Sequence, residues 1–230
     1  MNISYWPFMI YLPIWFQAGL GYGSVSAGLA LLAYTLPTLV MPTLAERLSL
    51  RYQPSIIIPA GLFTIGTGFI LMRFGSAAAE PNWLTMLPGC LMAGAGLGFT
   101  NTPVTNTTTG SVSSDRAGMA SGIDMSARMV SLAINIAMMG FILASGVLAQ
   151  LRAALPGLSV AELRVVADRI AAGNAVSVPE LSNAVVHQAL GNGFSWVMLY
   201  GAIGVWIMAG ISFFIFNARS VQQAKVQCSD

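Results

Sequence analysis

The sequence predicts an all-α polytopic membrane protein, a bundle of six helices. Two observations lead to this fold class. Hydrophobic residues make up 56% of the 230 residues and charged residues only 8%, whereas about a quarter of the residues in a soluble domain are charged. The chain also divides into apolar stretches of the length that crosses a bilayer. Too few polar side chains remain to cover a water-soluble surface.

The helices follow from stretches of about 20 apolar residues, the length that spans about 30 Å of hydrocarbon. Charged and turn-forming residues separate these stretches. We predict a first segment, residues 1–151, with five spans, then an extramembrane loop at 152–192, a final span at 193–217 and a cytoplasmic tail at 218–230. The first five spans are predicted at about 5–20, 26–45, 55–72, 83–105 and 119–151.

The loop at 152–192 is the one sizeable extramembrane segment that the sequence predicts. It contains two Ser-x-x-Glu patterns, Ser159 to Glu162 and Ser177 to Glu180. In a capping box the serine and the glutamate satisfy each other's backbone N–H groups at a helix start. We therefore expect two short amphipathic helices near the membrane surface.

The distribution of arginine and lysine indicates the orientation. Cytoplasmic loops are enriched in these residues, and threading six spans puts both termini and five basic residues on the same side of the membrane. The bias is slight, and it favours cytoplasmic termini. The five basic residues are Arg47, Arg51, Arg116, Arg219 and Lys225.

Several function classes lack their usual residues. A net charge of +2 without a basic run argues against nucleic-acid binding. Cys90, Cys228 and the lone His187 do not have the spacing of metal ligands or of a disulfide framework. No nucleophile stands in a recognisable catalytic pattern. We therefore expect no enzyme, no cofactor, no metal and no nucleic-acid partner.

The fourth predicted span is rich in glycine. Gly94, Gly96 and Gly98 precede Pro103 within it. Small residues let a neighbouring helix approach closely in lipid, and glycine beside proline can also permit bending. These residues are predicted to serve in helix packing or as a conformational hinge, and the sequence leaves both interpretations open.

Asp124 and Arg128 are the first candidates for functional charge. They stand four residues apart at the start of the fifth span, so a helix would place them on one face, where they can pair. Charges inside a membrane are expensive and mark ion or substrate pathways. The alternative is that both side chains lie at the cytoplasmic water line and fix the depth of the span.

Uncharged polar residues extend this candidate pathway. Asn101 opens a polar cluster that can bond across helices or line a water-filled path. Its other members are Thr102, Thr105, Asn106, Thr107 and Thr108. Asn135 continues the polar face of the fifth span, and Gln17 does the same in the first. Each of these side chains either contacts substrate or joins helices.

Three landmarks, at residues 11–17, 94–103 and 116–128, resemble one family, the fourteen-span drug/proton antiporters of the major facilitator superfamily. Tyr11-Leu12-Pro13-Ile14-Trp15-Phe16-Gln17 is similar to the opening of their C-terminal half. Gly94-Ala95-Gly96-Leu97-Gly98 with Pro103 is similar to their next landmark, and Arg116-Ala117-Gly118-Met119-Ala120-Ser121-Gly122 with Arg128 to a third. The order and spacing agree over nearly the whole chain.

The resemblance implies one six-helix half of a major facilitator transporter in the bacterial inner (plasma) membrane. Such a half packs on an N-terminal half, and substrate binds between them. The family exports drugs and other amphipathic small molecules in exchange for protons. The expected partners are membrane lipid, an N-terminal transporter half or a second copy, and such a molecule.

The chain departs from the family in two respects. The N-terminal half is missing, and the loop from Glu46 to Arg51 lacks the family's usual glycine and aspartate. A non-transporting membrane scaffold or an inactive truncated fragment is therefore the alternative to a transporter. A membrane enzyme is a third reading, and it would need clustered acidic or histidine residues within the spans.

Overall fold

A computed structural model describes residues 5–49, 51–78, 81–110, 112–155, 157, 159–173 and 183–227. No strand occurs among these residues, so the predicted all-α fold class is confirmed. The helices are α1 (Tyr5–Ile14), which continues as a π-helical turn (Trp15–Gly19), α2 (Ser24–Ser49), α3 (Pro54–Ser76), α4 (Trp83–Gly110), α5 (Ala117–Ala154), α6 (Val160–Ala171) and α7 (Asn183–Gln227).

Five of the described helices, α2, α3, α4, α5 and α7, are long and apolar enough to cross a membrane. The first predicted span differs from them. Its apolar helical stretch, Phe8–Gly19, is shorter than a full span, because at about 1.5 Å per residue it rises about 18 Å against about 30 Å of hydrocarbon.

The helix that contains the last predicted span begins before that span, at Asn183. Residues 183–192, which we assigned to the loop, are the first turns of α7. Val186, Ala189 and Leu190 are buried there at helical spacing. This stretch packs against the bundle as part of the helix, and such tertiary packing can outweigh local propensity. The second predicted capping box, Ser177 to Glu180, lies outside the described residues.

The first predicted capping box is confirmed at the start of α6. The Ser159 hydroxyl accepts a hydrogen bond from the Glu162 N–H at 3.4 Å, and the Glu162 carboxylate accepts one from the Ser159 N–H at 3.0 Å. The bonds from Ser159 hold the pKa of Glu162 below its ordinary value. One face of α6 (Leu163, Ala167 and Ile170) is buried, and α6 packs against α5 and α7.

Six of the described helices, all but α6, form a closed ring. Going round it, the neighbours are α1, α5, α7, α3, α4 and α2, which is next to α1 again. Aromatic side chains fill part of the interior, where Phe8 contacts Tyr34, Phe69 and Phe194. Helices that are neighbours in space are therefore mostly distant in sequence.

The glycines of α4 lie where it meets α2 and α3. A Cβ atom on Gly96 would come within 2.6 Å of the Gly61 carbonyl oxygen of α3, and one on Gly98 within 2.5 Å of the Met41 Cβ of α2. Gly94 similarly abuts the Tyr34 carbonyl oxygen of α2. This geometry is that of close helix packing. Pro103 is buried one turn further on, and a hinge there stays a prediction.

Candidate transport site

Asp124 and Arg128 form an ion pair on α5, as their spacing predicts. Arg128 Nε donates to Asp124 Oδ2 at 2.8 Å. The Asp124 side chain is 26% exposed and the Arg128 side chain is 23% exposed, so both are partly withdrawn from the surface of the bundle. Pairing of opposite charges lowers the cost of placing both in a membrane helix.

The pair reaches a second helix through Thr105. A guanidinium nitrogen of Arg128 (Nη2) donates to Thr105 Oγ1 at 3.2 Å, which joins α5 to α4. The Thr105 hydroxyl in turn donates to the Asn101 carbonyl oxygen at 3.1 Å. The polar cluster of α4 thus bonds across helices, one of the two roles that the sequence left open.

Asn101 takes part in this network through its backbone. Its side chain is exposed, one turn before Thr105 on α4. The structure thus brings Asn101, Thr105, Asp124 and Arg128 into one region between α4 and α5. We call these four residues the polar network.

A cleft of about 620 Å³ adjoins the polar network, between α3, α4, α5 and α7. Asp124 is the one charged residue among its described lining residues, and Thr107, Thr108 and Ser212 add hydroxyl groups. Most of the other lining side chains are apolar: Ile58, Val104, Val112, Met119, Ile123 and Ile215. The cleft therefore combines an apolar wall with one carboxylate.

Asn135 lies apart from the polar network. It is 5% exposed, and its amide nitrogen donates to the Ser131 carbonyl oxygen at 2.8 Å. Its Oδ1 accepts a hydrogen bond from the Tyr200 hydroxyl of α7 at 3.1 Å. It stands eleven residues after Asp124 on α5, which is about 16 Å along a helix. Of its two predicted roles, these contacts are those of a residue that joins helices.

Gln17 lies at the opposite end of the bundle from Asp124. It belongs to the π-helical turn, and its side chain is exposed. Trp15 of the same turn packs near Gly191 of α7, and the adjacent Asn192 bonds to Gln150 near the far end of α5. The structure therefore does not bring Gln17 to the polar network.

Sequence reasoning missed two tyrosines that join helices. Besides Tyr200, Tyr11 of α1 donates to the Ile136 carbonyl oxygen of α5 at 2.8 Å. A tyrosine in an apolar span signals a hydroxyl that needs a partner. Among the described residues, no three His, Cys, Asp or Glu side chains come together as a metal site would require.

The chain is similar to known transporters. Over 170 residues it is 29% identical to the uncharacterized transporter YebQ of Escherichia coli. This alignment covers 68% of this chain and 36% of YebQ. It is 29% identical over 125 residues to the multidrug resistance protein Stp of Mycobacterium tuberculosis (54% of this chain, 23% of Stp). It is also 29% identical over 130 residues to the quinolone resistance protein NorB of Staphylococcus aureus (56% and 28%).

The chain spans little more than a third of YebQ and less of the other two relatives. No family model matches the chain, and no solved structure matches it. The relatives named here are transporters and resistance proteins rather than enzymes. Together with the five apolar helices, they support a multi-pass membrane protein of a transporter family.

Proposed function

We propose that this chain is one membrane bundle of a secondary transporter that exports amphipathic small molecules in exchange for protons. The observation that carries the proposal is the ion pair of Asp124 and Arg128. It lies partly buried within a membrane bundle and is bonded to a second helix through Thr105. Charged side chains in membrane helices are costly, and they commonly mark ion or substrate pathways. The resistance proteins among the relatives support the same function.

The adjoining cleft fits an amphipathic substrate. Its volume of about 620 Å³ falls within the range of about 300–1,000 Å³ that small-molecule pockets occupy. Apolar side chains would hold the hydrophobic part of the substrate, while the Asp124 carboxylate would attract a cationic group. We therefore expect hydrophobic cations among the substrates.

Asp124 would carry the exchanged proton. Protonation would remove its negative charge and thereby weaken the bond to Arg128, which would leave the guanidinium to Thr105 and to water. A hydrophobic cation and a proton would then compete for the same carboxylate, as exchange requires. Arg128 would hold the carboxylate in place through the bond from its Nε.

The proposed partner is an N-terminal transporter half, with a second copy of the chain as the alternative, in the bacterial inner membrane. The outer faces of α2 and α5 carry large exposed apolar side chains that lipid or a partner would cover. On α2 these include Val25, Leu29, Leu36 and Leu39, and on α5 they include Ile123, Val130, Ile134 and Phe141. The greater length of the relatives is consistent with a second bundle.

Accumulation of ethidium, a hydrophobic cation, tests the proposal in cells that lack their own efflux pumps. The chain would be expressed alone or together with a candidate N-terminal half, and cells that carry an empty vector would serve as the reference. Lower accumulation in either of the first two cases supports transport, and the case that works identifies the assembly. Unchanged accumulation in both would favour a scaffold or an inactive fragment.

The role of Asp124 has a matched control in Asp115, an exposed acid in the turn before α5. Asp124→Asn is expected to abolish the pH dependence of ethidium export, whereas Asp115→Asn is expected to leave it intact. The same pH dependence in both variants would remove Asp124 as the proton carrier.

A further inference from the structure

A second cavity lies at the end of the bundle opposite Asp124. It has a volume of about 610 Å³. Its walls are the π-helical turn after α1, the C-terminal end of α3 and the first turns of α7. It shares no described lining residue with the cleft at Asp124.

Polar side chains of α7 line one wall of this cavity. These side chains are those of His187, Gln188, Asn192 and Ser195, which lie within about two turns of the helix. Asn192 is oriented by its bond to Gln150, 2.6 Å long between Nδ2 and Oε1. This bond leaves Oδ1 of the Asn192 side chain as an acceptor, while the Ser195 hydroxyl offers both a donor and an acceptor.

The indole of Trp15 also lines the cavity. This ring stacks on Phe194, with centroids 5.1 Å apart and planes 8° apart, and Gly19 and Gly191 leave room for it. Trp15 is 2% exposed, and among the described residues its Nε1 is a buried donor without a hydrogen-bond partner. A buried unpaired donor is unfavourable and calls for a partner such as water or a ligand.

The charge of the cavity limits its ligand. Its described lining residues include no aspartate, glutamate, lysine or arginine, and His187 is their one titratable side chain. An ion would therefore lose its hydration without gaining an opposite charge. Hydroxyl and amide groups, in contrast, would find both donors and acceptors.

We propose that this cavity is a second binding site, which takes an uncharged small molecule carrying both hydrogen-bond donors and acceptors. The polar face of α7 binds the ligand, and Trp15, which packs on α7, lines the cavity beside that face. The site goes beyond the proposed transport of hydrophobic cations, because it differs from the cleft at Asp124 in position, in lining and in the ligand that it selects.

Binding of radiolabelled chloramphenicol, an uncharged molecule with hydroxyl groups and an amide, tests the proposal. The full chain in lipid nanodiscs is expected to bind it saturably. Ser195→Leu fills the cavity and is expected to weaken binding by about tenfold or more. The matched control Ser145→Leu changes an exposed residue of α5 and is expected to leave the affinity unchanged, as is Asp124→Asn.

Cysteine labelling gives a second readout that holds even where Ser195→Leu fails to fold. Asn192→Cys is introduced together with Cys228→Ser, since the remaining cysteine, Cys90, is buried. Chloramphenicol is expected to slow the labelling of this cysteine by N-ethylmaleimide. Absence of both saturable binding and protection would overturn the second site. If the chain binds chloramphenicol but does not export ethidium, the result would count against the proposed transport alone.

Discussion

The Tyr200 hydroxyl donates to Asn135 Oδ1 at 3.1 Å and thereby fastens α7 to the middle of α5. One residue further along α5, the Ile136 carbonyl oxygen accepts the bond from Tyr11 of α1. Two adjacent residues of one helix thus hold both of its neighbours in the ring. Along α5, these two hydrogen bonds lie between the cleft at Asp124 and the end of the bundle that holds the cavity beside Trp15.

Removing the Tyr200 hydroxyl is expected to destabilise the bundle modestly. Hydrogen bonds between membrane helices contribute about 0.6 kcal/mol on average and up to about 1.7 kcal/mol. We expect Tyr200→Phe to lower the unfolding free energy within this range, because the ring and its packing are kept. Thermal unfolding in detergent measures the change. Tyr52→Phe is the control, since Tyr52 is exposed, and equal effects of the two variants would contradict the role of the bond.

Valine at Gly96 is expected to be far more disruptive than valine at Gly122. A Cβ atom at Gly96 meets the Gly61 carbonyl oxygen at 2.6 Å, whereas one at Gly122 meets nothing within 4 Å. Overpacking of this kind costs about 1–3 kcal/mol, so Gly96→Val should lower the melting temperature and the yield of folded protein. Both residues are glycines within helices, so the change in helix propensity is the same. Similar melting temperatures would show that α4 can move away from α3 at little cost.

Loss of Arg128 alone is expected to be worse than loss of the whole ion pair. Arg128→Met leaves the Asp124 carboxylate without its cation, while Arg128→Met with Asp124→Asn leaves two neutral groups. Breaking a fully buried pair costs about 3–5 kcal/mol, and partial exposure of both side chains makes the cost smaller here. Thermal unfolding of the two single variants and the double variant measures the coupling. Additive effects would show that the two charges do not stabilise each other.

The start of α6 is expected to depend on pH through Glu162. Its pKa is lowered by the bonds from Ser159, so the folded state favours the ionised form. The contribution is therefore fully present above the ordinary glutamate pKa and is lost as pH falls through the lowered value. In Ser159→Ala the pKa of Glu162 should rise toward its ordinary value. An NMR titration of the labelled carboxyl measures it, and an unchanged pKa would exclude Ser159 as the cause.

Local spacing predicted the features that depend on one helix. Asp124 and Arg128 pair because they stand four residues apart, and Ser159 caps α6 through Glu162 for the same local reason. The cross-helix partners could not be read in this way. Tyr200 and Asn135 are 65 residues apart, and Tyr11 is 125 residues from Ile136. Which spans become neighbours is decided by packing over the whole bundle.

The start of α7 shows the same limit. Residues 183–192 were assigned to the predicted loop, yet they belong to the helix. A Cβ atom at Gly193 would come within 2.8 Å of the Leu143 carbonyl oxygen, so glycine permits the contact between α7 and α5. The same residue can thus break a helix in isolation and permit close packing within a bundle.

The order of helices in the ring has a consequence for biogenesis. Tyr11 of α1 bonds to α5, and Trp15 of the following turn stacks on Phe194 of α7. Because synthesis proceeds from the N-terminus, α1 is made before its partners in α5 and α7. Release from the ribosome before α7 is made would leave Trp15 without Phe194, so α1 reaches its final packing only after α7 has entered the bundle.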